Sequence, residues 1–213
     1  MYMLMAIIGI NGKMGNKLYE FYKNEFNIVG VDLFDNDNVL TYKTLSDISE
    51  HIDVVIDFSG TSSYKELEYA VNHNILTLSG TTGYEKSKIE RLIEKGNGLF
   101  YWSANYSKGI DLFTDIIKEV NNKYNLFDFI EIHASTKKDS PSGTAKMLAD
   151  ALGIGYDNIQ SLRLLHAPAI HQLMFSSNDE RIIIRHEVIN PHAFLEGFDS
   201  KLKEMMTYDR KNV

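Results

Sequence analysis

The chain has 213 residues, of which 44% are hydrophobic and 24% charged, values typical of a globular protein rather than a disordered or collagen-like one. Acidic residues outnumber basic ones by 29 to 22, and the net charge of −7 argues against a protein that grips nucleic acid phosphates. Cysteine is absent, which excludes disulfides, thiol catalysis and cysteine-based metal sites. The opening apolar run, residues 1–10, is too short to span a membrane, so we expect a cytoplasmic protein with no membrane partner.

In the first half of the chain, short apolar runs alternate with amphipathic helical patterns. Strands are predicted at residues 4–9, 28–32, 54–58, 75–79 and 99–102. Helices are predicted at residues 14–22, 64–72 and 86–94. Each predicted strand is apolar on both faces, which is typical of a parallel sheet covered by helices. We therefore predict an α/β domain over residues 1–106.

The second half has a different pattern. A polar loop leads into a helix over residues 141–152, which we expect to begin at Pro141 with Ser140 as its N-cap. A helix at residues 107–124 and a strand at 127–133 come before this loop. Three β-rich segments follow it, at residues 161–166, 171–176 and 181–189. Consecutive strands predict an antiparallel or mixed sheet with helices on one face. We therefore predict an α+β domain over residues 107–190, and expect residues 191–213, with a helix at 192–206, to return to the first domain.

A glycine-rich turn lies between the first predicted strand and the first predicted helix. Glycines there permit a tight turn and let the backbone approach a pyrophosphate, which the amides of the following helix can bind. A turn without a ligand can carry the same glycines, but Asp32 follows about 20 residues later, as a Rossmann-type dinucleotide site requires. The predicted contact residues are Gly9, Asn11, Gly12, Lys13, Met14 and Gly15.

Asp32 indicates which dinucleotide is bound. A carboxylate at the end of the second strand accepts hydrogen bonds from both ribose hydroxyls and repels a 2′-phosphate. No lysine or arginine follows Asp32 before Lys43 to compensate this repulsion. We therefore expect NADH to be preferred, with NADPH possible.

A second cluster of polar residues lies in the segment 131–145, which reads EIHASTKKDSPSGTA. Ser142, Gly143 and Thr144 stand at the positive end of the predicted helix, where small residues let a carboxylate come close, and Lys137 adds a movable cation. His133, at the end of a strand, can supply a proton. Singly, these residues suit a helix cap, a solvated lysine and a strand-end histidine. Together they predict a site for an anionic small molecule beside an acid catalyst.

This segment resembles the signature of the dihydrodipicolinate reductase family, approximately E-x-H-H-x-x-K-x-D-x-P-S-G-T-A. Other landmarks of that family follow the same order along the chain: the glycine-rich turn, Asp57-Phe-Ser, Gly80-Thr-Thr-Gly-Tyr and Ala104-Asn-Tyr-Ser. The resemblance implies NAD(P)H-dependent reduction of a cyclic imine dicarboxylate to tetrahydrodipicolinate, in lysine and diaminopimelate biosynthesis. It also implies a homotetramer assembled through the sheets of the second domain.

The resemblance further implies roles for individual residues. His133 corresponds to the proton donor, and Lys137 to the lysine that works with it. Ser142, Gly143 and Thr144 correspond to the site for a substrate carboxylate. Further cofactor contacts are implied in the loops after the strands and at the domain junction, namely Phe58, Ser59, Gly80, Thr81, Thr82, Ala104, Asn105 and Tyr106.

The chain departs from the family pattern mainly near the predicted substrate site. The second histidine of the signature is Ala134 here, and the family's Gly-Glu-His loop reads Ala-Ile-His171. Two alternatives therefore stay open: an NADH-dependent reductase of another small carboxylate, and an NAD(H)-sensing binding module without turnover. The retention of His133 and Lys137 argues against the binding module. The remaining histidines show no zinc-binding spacing, so we interpret them as structural or exposed and predict no metal site.

Overall fold

The computed structural model describes residues 2–124, 126–190 and 192–212, the last five as backbone only. The chain divides into two compact units, residues 1–103 with 199–213, and residues 104–198. Each unit has its own sheet and its own apolar core. Among the described residues, no helix is both long enough and apolar enough to cross a membrane.

The first unit contains a six-stranded parallel sheet covered by helices. Its strands are β1 (Leu4–Ile8), β2 (Asn27–Val31), β3 (Thr41–Tyr42), β4 (Val54–Asp57), β5 (Leu76–Ser79) and β6 (Phe100–Trp102). Its helices are α1 (Lys13–Tyr22), α2 (Tyr64–Asn72) and α3 (Lys86–Lys95), with 3₁₀ turns at Leu45–Asp47 and Thr61–Ser63. The strand order β3-β2-β1-β4-β5-β6 is that of a Rossmann-type fold, which confirms the predicted fold class.

The strand order decides where the loops of this unit lie. Because all of its strands run parallel, the loops that follow β1, β2, β4 and β5 leave from the same edge of the sheet. Apolar side chains on both faces of the strands are buried, as in β4, where Val54, Val55 and Ile56 are all buried. The end of the chain belongs to the same unit, where the Tyr22 hydroxyl donates to the Asp199 carboxylate at 3.3 Å.

The second unit contains a four-stranded mixed sheet, as predicted. Its strands are β7 (Phe127–Ala134), β8 (Ile159–Leu164), β9 (Ala169–Ser176) and β10 (Arg181–Val188). In the order β10-β9-β7-β8, only the β7–β8 pair is parallel. The helices are α4 (Lys108–Asn121), α5 (Gly143–Leu152) and the first part of α6 (His192–Asn212), with a 3₁₀ turn at Tyr156–Asn158.

The predicted start of the helix after the polar loop is wrong. We expected Pro141 in its first turn with Ser140 as the N-cap, but α5 begins at Gly143 and Ser142 is the N-cap. The physical reason is the Ser142 hydroxyl, which accepts a hydrogen bond from the Ala145 amide at 3.1 Å and so closes the first turn. Ser140 and Pro141 belong to the loop before the helix.

The two faces of the second sheet differ in how they are covered. On the inner face, Phe129, Leu173 and Phe175 are at most 1% exposed in a core that also contains side chains of α4 and α5. The outer face mixes apolar side chains with polar ones such as Gln172 and Arg185, and three of its apolar side chains are 44–57% exposed. These are Leu162, Leu164 and Ile183. The register places Leu162 beside Ile132, so the outer face has neighbouring apolar side chains from different strands.

Candidate active site

The glycine-rich turn connects β1 to α1 in a conformation that requires glycine at two positions. Gly9 has a φ of +81°, and a Cβ there would lie 2.7 Å from the Phe58 carbonyl oxygen. A Cβ on Gly15 would lie 2.2 Å from the Gly9 carbonyl oxygen. The start of α1, at Lys13 and Met14, is thereby held against the end of β1. Since the first amides of a helix have no partner within it, this end can bind a phosphate.

Asp32 lies directly after β2 and joins the glycine-rich turn to the next loop. Its carboxylate accepts hydrogen bonds from the amides of Asn11, at 3.1 Å, and Phe34, at 3.3 Å. The first cation after it, Lys43, lies 2.9 Å from the carboxylate of Asp35. Asp32 is therefore placed at the carboxyl edge of the sheet beside the predicted phosphate turn, and the ammonium of Lys43 is already paired.

A buried carboxylate that sequence reasoning did not assign organises the next two loops. Asp57, at the end of β4, is fully buried and accepts hydrogen bonds from the hydroxyls of Ser59, at 2.5 Å, and Ser79, at 2.7 Å. The Tyr84 hydroxyl donates to it at 3.3 Å, and burial together with this charge raises the pKa of Tyr84. The Ser59 amide donates to the Thr81 hydroxyl at 3.0 Å. The loops after β4 and β5 are therefore held together.

Three other predicted cofactor residues belong to these loops. The ring of Phe58 packs directly on Gly80, where a Cβ would lie 1.9 Å from a ring carbon. Thr82 is exposed, and its neighbour Thr81 is buried and accepts a hydrogen bond from the Trp102 indole at its carbonyl oxygen. The first unit thus brings every predicted cofactor residue up to Thr82 to one edge of its sheet.

The remaining predicted cofactor residues, Ala104, Asn105 and Tyr106, belong to the second unit. The Asn105 side-chain amide donates to the Thr144 hydroxyl at 3.1 Å, which links this segment to the first turn of α5. Tyr106 is only 4% exposed, and its ring packs against two phenylalanines of α6. Tyr106 therefore contributes its side chain to the core of this unit.

A row of polar side chains crosses the inner face of the second sheet, beside the apolar row that contains Phe129. Strand pairing aligns Ser161, Glu131, His171 and His186, one from each strand. His133 follows two residues after Glu131 and lies on the same face, because side chains alternate along a strand. Its Nδ1 lies 3.0 Å from Oε2 of Glu131.

Glu131 is fully buried and accepts hydrogen bonds at its other oxygen. Oε1 lies 2.8 Å from the Arg163 guanidinium and 3.1 Å from the Ser142 amide. Burial by itself raises the pKa of Glu131, but hydrogen bonds from His133, Ser142 and Arg163 hold it well below its usual range. This arrangement corrects one expectation, since the Ser142 amide does not face outward for a ligand but donates to a buried carboxylate.

His171 packs beside His133 without carrying charge. Its side chain is 1% exposed, and its ring centroid lies 5.5 Å from that of His133. Burial, with a smaller contribution from the charge of His133, lowers the pKa of His171 to about 3. Glu131, His133 and His171 each offer one donor atom within 4.8 Å of the others, a spacing that can hold a metal ion. The Arg163 guanidinium already pairs with this carboxylate at 2.8 Å, which makes it a poorer ligand for a cation.

Lys137 lies in the polar loop that follows β7, and its ammonium is 2.9 Å from the Asp139 carboxylate. Asp139 also accepts a hydrogen bond from the Gly143 amide, and these donors lower its pKa although partial burial opposes them. A carboxylate of the protein itself therefore binds two of the groups predicted to bind a substrate carboxylate. Asp139, Arg163 and Glu131 were not assigned roles from the sequence, although two of them lie within the quoted motif.

Comparisons with known proteins identify the family. A family model described as the dihydrodipicolinate reductase N-terminus matches residues 3–106, and one for the C-terminus matches residues 109–212. The chain is 32% identical over 214 residues to the 4-hydroxy-tetrahydrodipicolinate reductase of Rickettsia canadensis, which covers 91% of this chain and 88% of that protein. The enzyme of the same name from Thermosipho africanus is 30% identical over 200 residues, covering 92% and 88%.

Solved structures share the fold. The dipicolinate-bound dihydrodipicolinate reductase of a Paenisporosarcina species superposes with a TM-score of 0.76 at 20% identity, covering 97% of this chain and 96% of that one. An aspartate dehydrogenase from Thermotoga maritima has a TM-score of 0.61 at 14% identity, covering 96% and 97%. Because both family models match and together span nearly the whole chain, and curated relatives match over nine-tenths of it, the chain belongs to the dihydrodipicolinate reductase family.

Proposed function

We propose that this chain is a 4-hydroxy-tetrahydrodipicolinate reductase, which reduces a cyclic imine dicarboxylate to tetrahydrodipicolinate in lysine and diaminopimelate biosynthesis. The observation that carries the proposal is the placement of His133 on a buried carboxylate in the same unit as Lys137 and the start of α5. Family membership and a complete dinucleotide turn support it independently.

The substrate's carboxylates are bound by the polar loop and the start of α5. Lys137 supplies a cation, and the amides of Gly143 and Thr144 lie at the positive end of the helix. The Asp139 carboxylate, which now accepts from Lys137 and Gly143, has to give up these donors when a substrate carboxylate arrives. Ser142 acts as the N-cap that fixes the helix start.

His133 supplies the proton. The reduced nicotinamide, when bound to the first unit, supplies the hydride; the hydride and the proton together saturate one double bond of the ring. Because Nδ1 of His133 lies 3.0 Å from Glu131, we assign the proton transfer to the other ring nitrogen, Nε2. His133 is only slightly exposed, with 12% of its side-chain surface accessible, which limits competition from water.

The cofactor is a nicotinamide dinucleotide, and we propose NADH as the preferred one. Asp32 stands beside the glycine-rich turn, where its charge repels a 2′-phosphate. The nearest cation in sequence, Lys43, pairs with Asp35 and compensates this repulsion only if it leaves that partner. Use of a reduced dinucleotide from central metabolism supports a cytoplasmic location.

We also propose a homotetramer. The outer face of the second sheet has exposed apolar side chains that include Leu162, Leu164 and Ile183. Exposed apolar side chains on one face of a sheet are typical of an interface, and a second copy of the same sheet has a matching chemistry. This observation supports association through the second unit.

Ala134 favours one alternative, reduction of a different small carboxylate. It ends β7 where the family signature has a second histidine, so the imidazole that follows His133 in that signature is absent. The intact His133–Glu131 pair argues against the other alternative, an NAD(H)-sensing module.

A steady-state assay tests the proposal. Freshly generated substrate is mixed with enzyme and either NADH or NADPH, and cofactor oxidation is followed for wild type and for His133→Gln. We expect turnover by the wild type and a loss of kcat of about 10²- to 10⁴-fold in the variant, the usual contribution of general acid catalysis. Turnover only with a different carboxylate would favour a reductase of another small carboxylate. Cofactor binding without any turnover would favour an NAD(H)-sensing module.

A further inference from the structure

We infer that Glu131 is a positioning residue for the proton donor, which holds the imidazole of His133 through Nδ1 and links it to the start of α5. The inference rests on the proposed function, in which His133 gives the proton. It adds a residue to which the sequence analysis gave no role.

Three contacts give Glu131 its place. It is fully buried on the inner face of β7, two residues before His133 on the same strand. Oε1 accepts hydrogen bonds from Arg163 and Ser142, whereas Oε2 lies 3.0 Å from His133 Nδ1. A buried carboxylate is stable only when such donors compensate it, so the charge is fixed in position. The same side chain therefore orients the imidazole and fixes the N-cap residue of α5.

The chemistry of the imidazole gives this contact a role in the reaction. In the imidazolium form both ring nitrogens bear protons, and Nδ1–H donates to Glu131 while Nε2–H faces outward. The Nε2–H bond breaks as its proton forms a bond to the substrate carbon, which uses an electron pair of the double bond that the hydride reduces. The imidazole that remains is neutral and protonated at Nδ1, which is the tautomer that the carboxylate stabilises.

The surroundings of His133 make Glu131 the partner that decides its tautomer. The neighbouring charged and titratable groups on this face are Arg163, in register on β8, His171 on β9 and, stacked beside His171, His186 on β10. Arg163 has no acceptor, and burial keeps His171 neutral. The charge of Lys137 acts on this cluster as well, since it lowers the pKa of His171. Because the Lys137 cation acts on this cluster, a fixed carboxylate beside His133 is needed all the more.

Nitrogen NMR of ¹⁵N-histidine-labelled protein tests the inference together with kinetics. Two-bond ¹H–¹⁵N spectra distinguish the protonated from the bare ring nitrogen, and His133→Gln assigns the signal. We expect neutral His133 to be protonated at Nδ1 in the wild type, and to shift toward the Nε2–H tautomer in Glu131→Gln. The same variant should lose about 10- to 100-fold in kcat with KM changed only a few-fold, as when partners that orient catalytic imidazoles are removed.

Two further variants separate positioning from general structural damage. The first variant combines Glu131→Gln with Arg163→Gln, so that no unpaired guanidinium remains. It keeps the test valid if Glu131→Gln alone folds poorly, and we expect the same tautomer shift and the same loss of kcat. Glu187→Gln removes the carboxylate of another ion pair, with Arg185 at 2.8 Å on β10, and should leave both readouts unchanged.

The outcomes separate this inference from the proposed function. If His133→Gln retains wild-type kcat, the donor role itself is wrong. If His133→Gln is impaired but Glu131→Gln keeps the Nδ1–H tautomer, or changes it without loss of kcat, only the positioning role of Glu131 is overturned.

Discussion

The Lys137 ammonium lies 2.9 Å from the carboxylate of Asp139, which also accepts a hydrogen bond from the Gly143 amide. In this arrangement an internal carboxylate binds donors that a dicarboxylate substrate needs. Binding of the substrate is thus an exchange of one carboxylate for another, and its free energy depends on how strongly Asp139 holds its donors.

Lys137→Ala removes the cation of this exchange. A hydrogen bond to a charged group contributes about 1.5–3 kcal/mol, so we expect kcat/KM to fall by about 10- to 100-fold. NADH affinity, measured by fluorescence titration, should hardly change, because the dinucleotide turn lies in the other unit. A kinetically silent Lys137→Ala, together with no competition from pyridine-2,6-dicarboxylate, would mean that the carboxylate site has been misplaced.

Asp139→Asn should have the opposite effect on binding. The uncharged asparagine side chain no longer neutralises Lys137, so the positive charge on the loop increases. We therefore expect pyridine-2,6-dicarboxylate to bind several-fold more tightly, as measured by calorimetry. Asp128→Asn, which changes an exposed carboxylate on the same unit, serves as a control and should not alter affinity. Weaker binding in Asp139→Asn would show instead that Asp139 organises the loop for the substrate.

Asp32 is expected to set the cofactor preference. Wild-type protein should bind NADH more tightly than NADPH, and Asp32→Asn should narrow the difference, since asparagine loses the charge but keeps an acceptor oxygen for one of the two amides, those of Asn11 and Phe34, that Asp32 binds. Titration of both cofactors against each protein measures the ratio. If the wild type prefers NADPH, Lys43→Ala identifies whether that lysine leaves Asp35 to reach the phosphate.

How much the sequence could predict differs between the two halves of the site. The cofactor half of the site follows from local sequence signals. The backbone geometry of the turn requires Gly9 and Gly15, and Asp32 comes directly after the second strand. The substrate half depends on strand pairing. Glu131 is aligned with His171 only because β7 pairs antiparallel with β9, and no local pattern encodes that register. The predicted start of α5 was wrong because a proline favours a helix start beside any suitable N-cap residue, and the sequence alone does not show which serine is the cap.

The outer face of the second sheet predicts assembly. Leu162→Glu places a charge on this face beside Ile132, so we expect the proposed tetramer to dissociate to smaller species in analytical ultracentrifugation. Leu40→Glu, at a leucine of the first unit that is 64% exposed, should leave the assembly intact. A tetramer that survives Leu162→Glu and Ile183→Glu would place the interface elsewhere.

His171 is expected to make the fold sensitive to mild acid. Its pKa is about 3 in the folded protein, against about 6.5 in the unfolded chain, so between these values the unfolded state binds the extra proton. Stability from this group is therefore complete above about pH 6.5 and falls as the pH drops, by at most about 1.4 kcal/mol per pH unit. Glu131 acts in a lower window, because a carboxyl whose pKa is lowered by folding loses its contribution only below about pH 4.5.

Chemical denaturation at about pH 7 and about pH 5 isolates the histidine. We expect the wild type to lose about 2 kcal/mol more than His171→Gln over this interval, because the variant has no imidazole to protonate on unfolding. His51→Gln, which removes an imidazole whose side chain is 87% exposed, should decline with pH as the wild type does. Equal losses in the wild type and in His171→Gln would mean that His171 is protonated in the folded protein, and that the inner face of the second sheet accepts a charge beside His133.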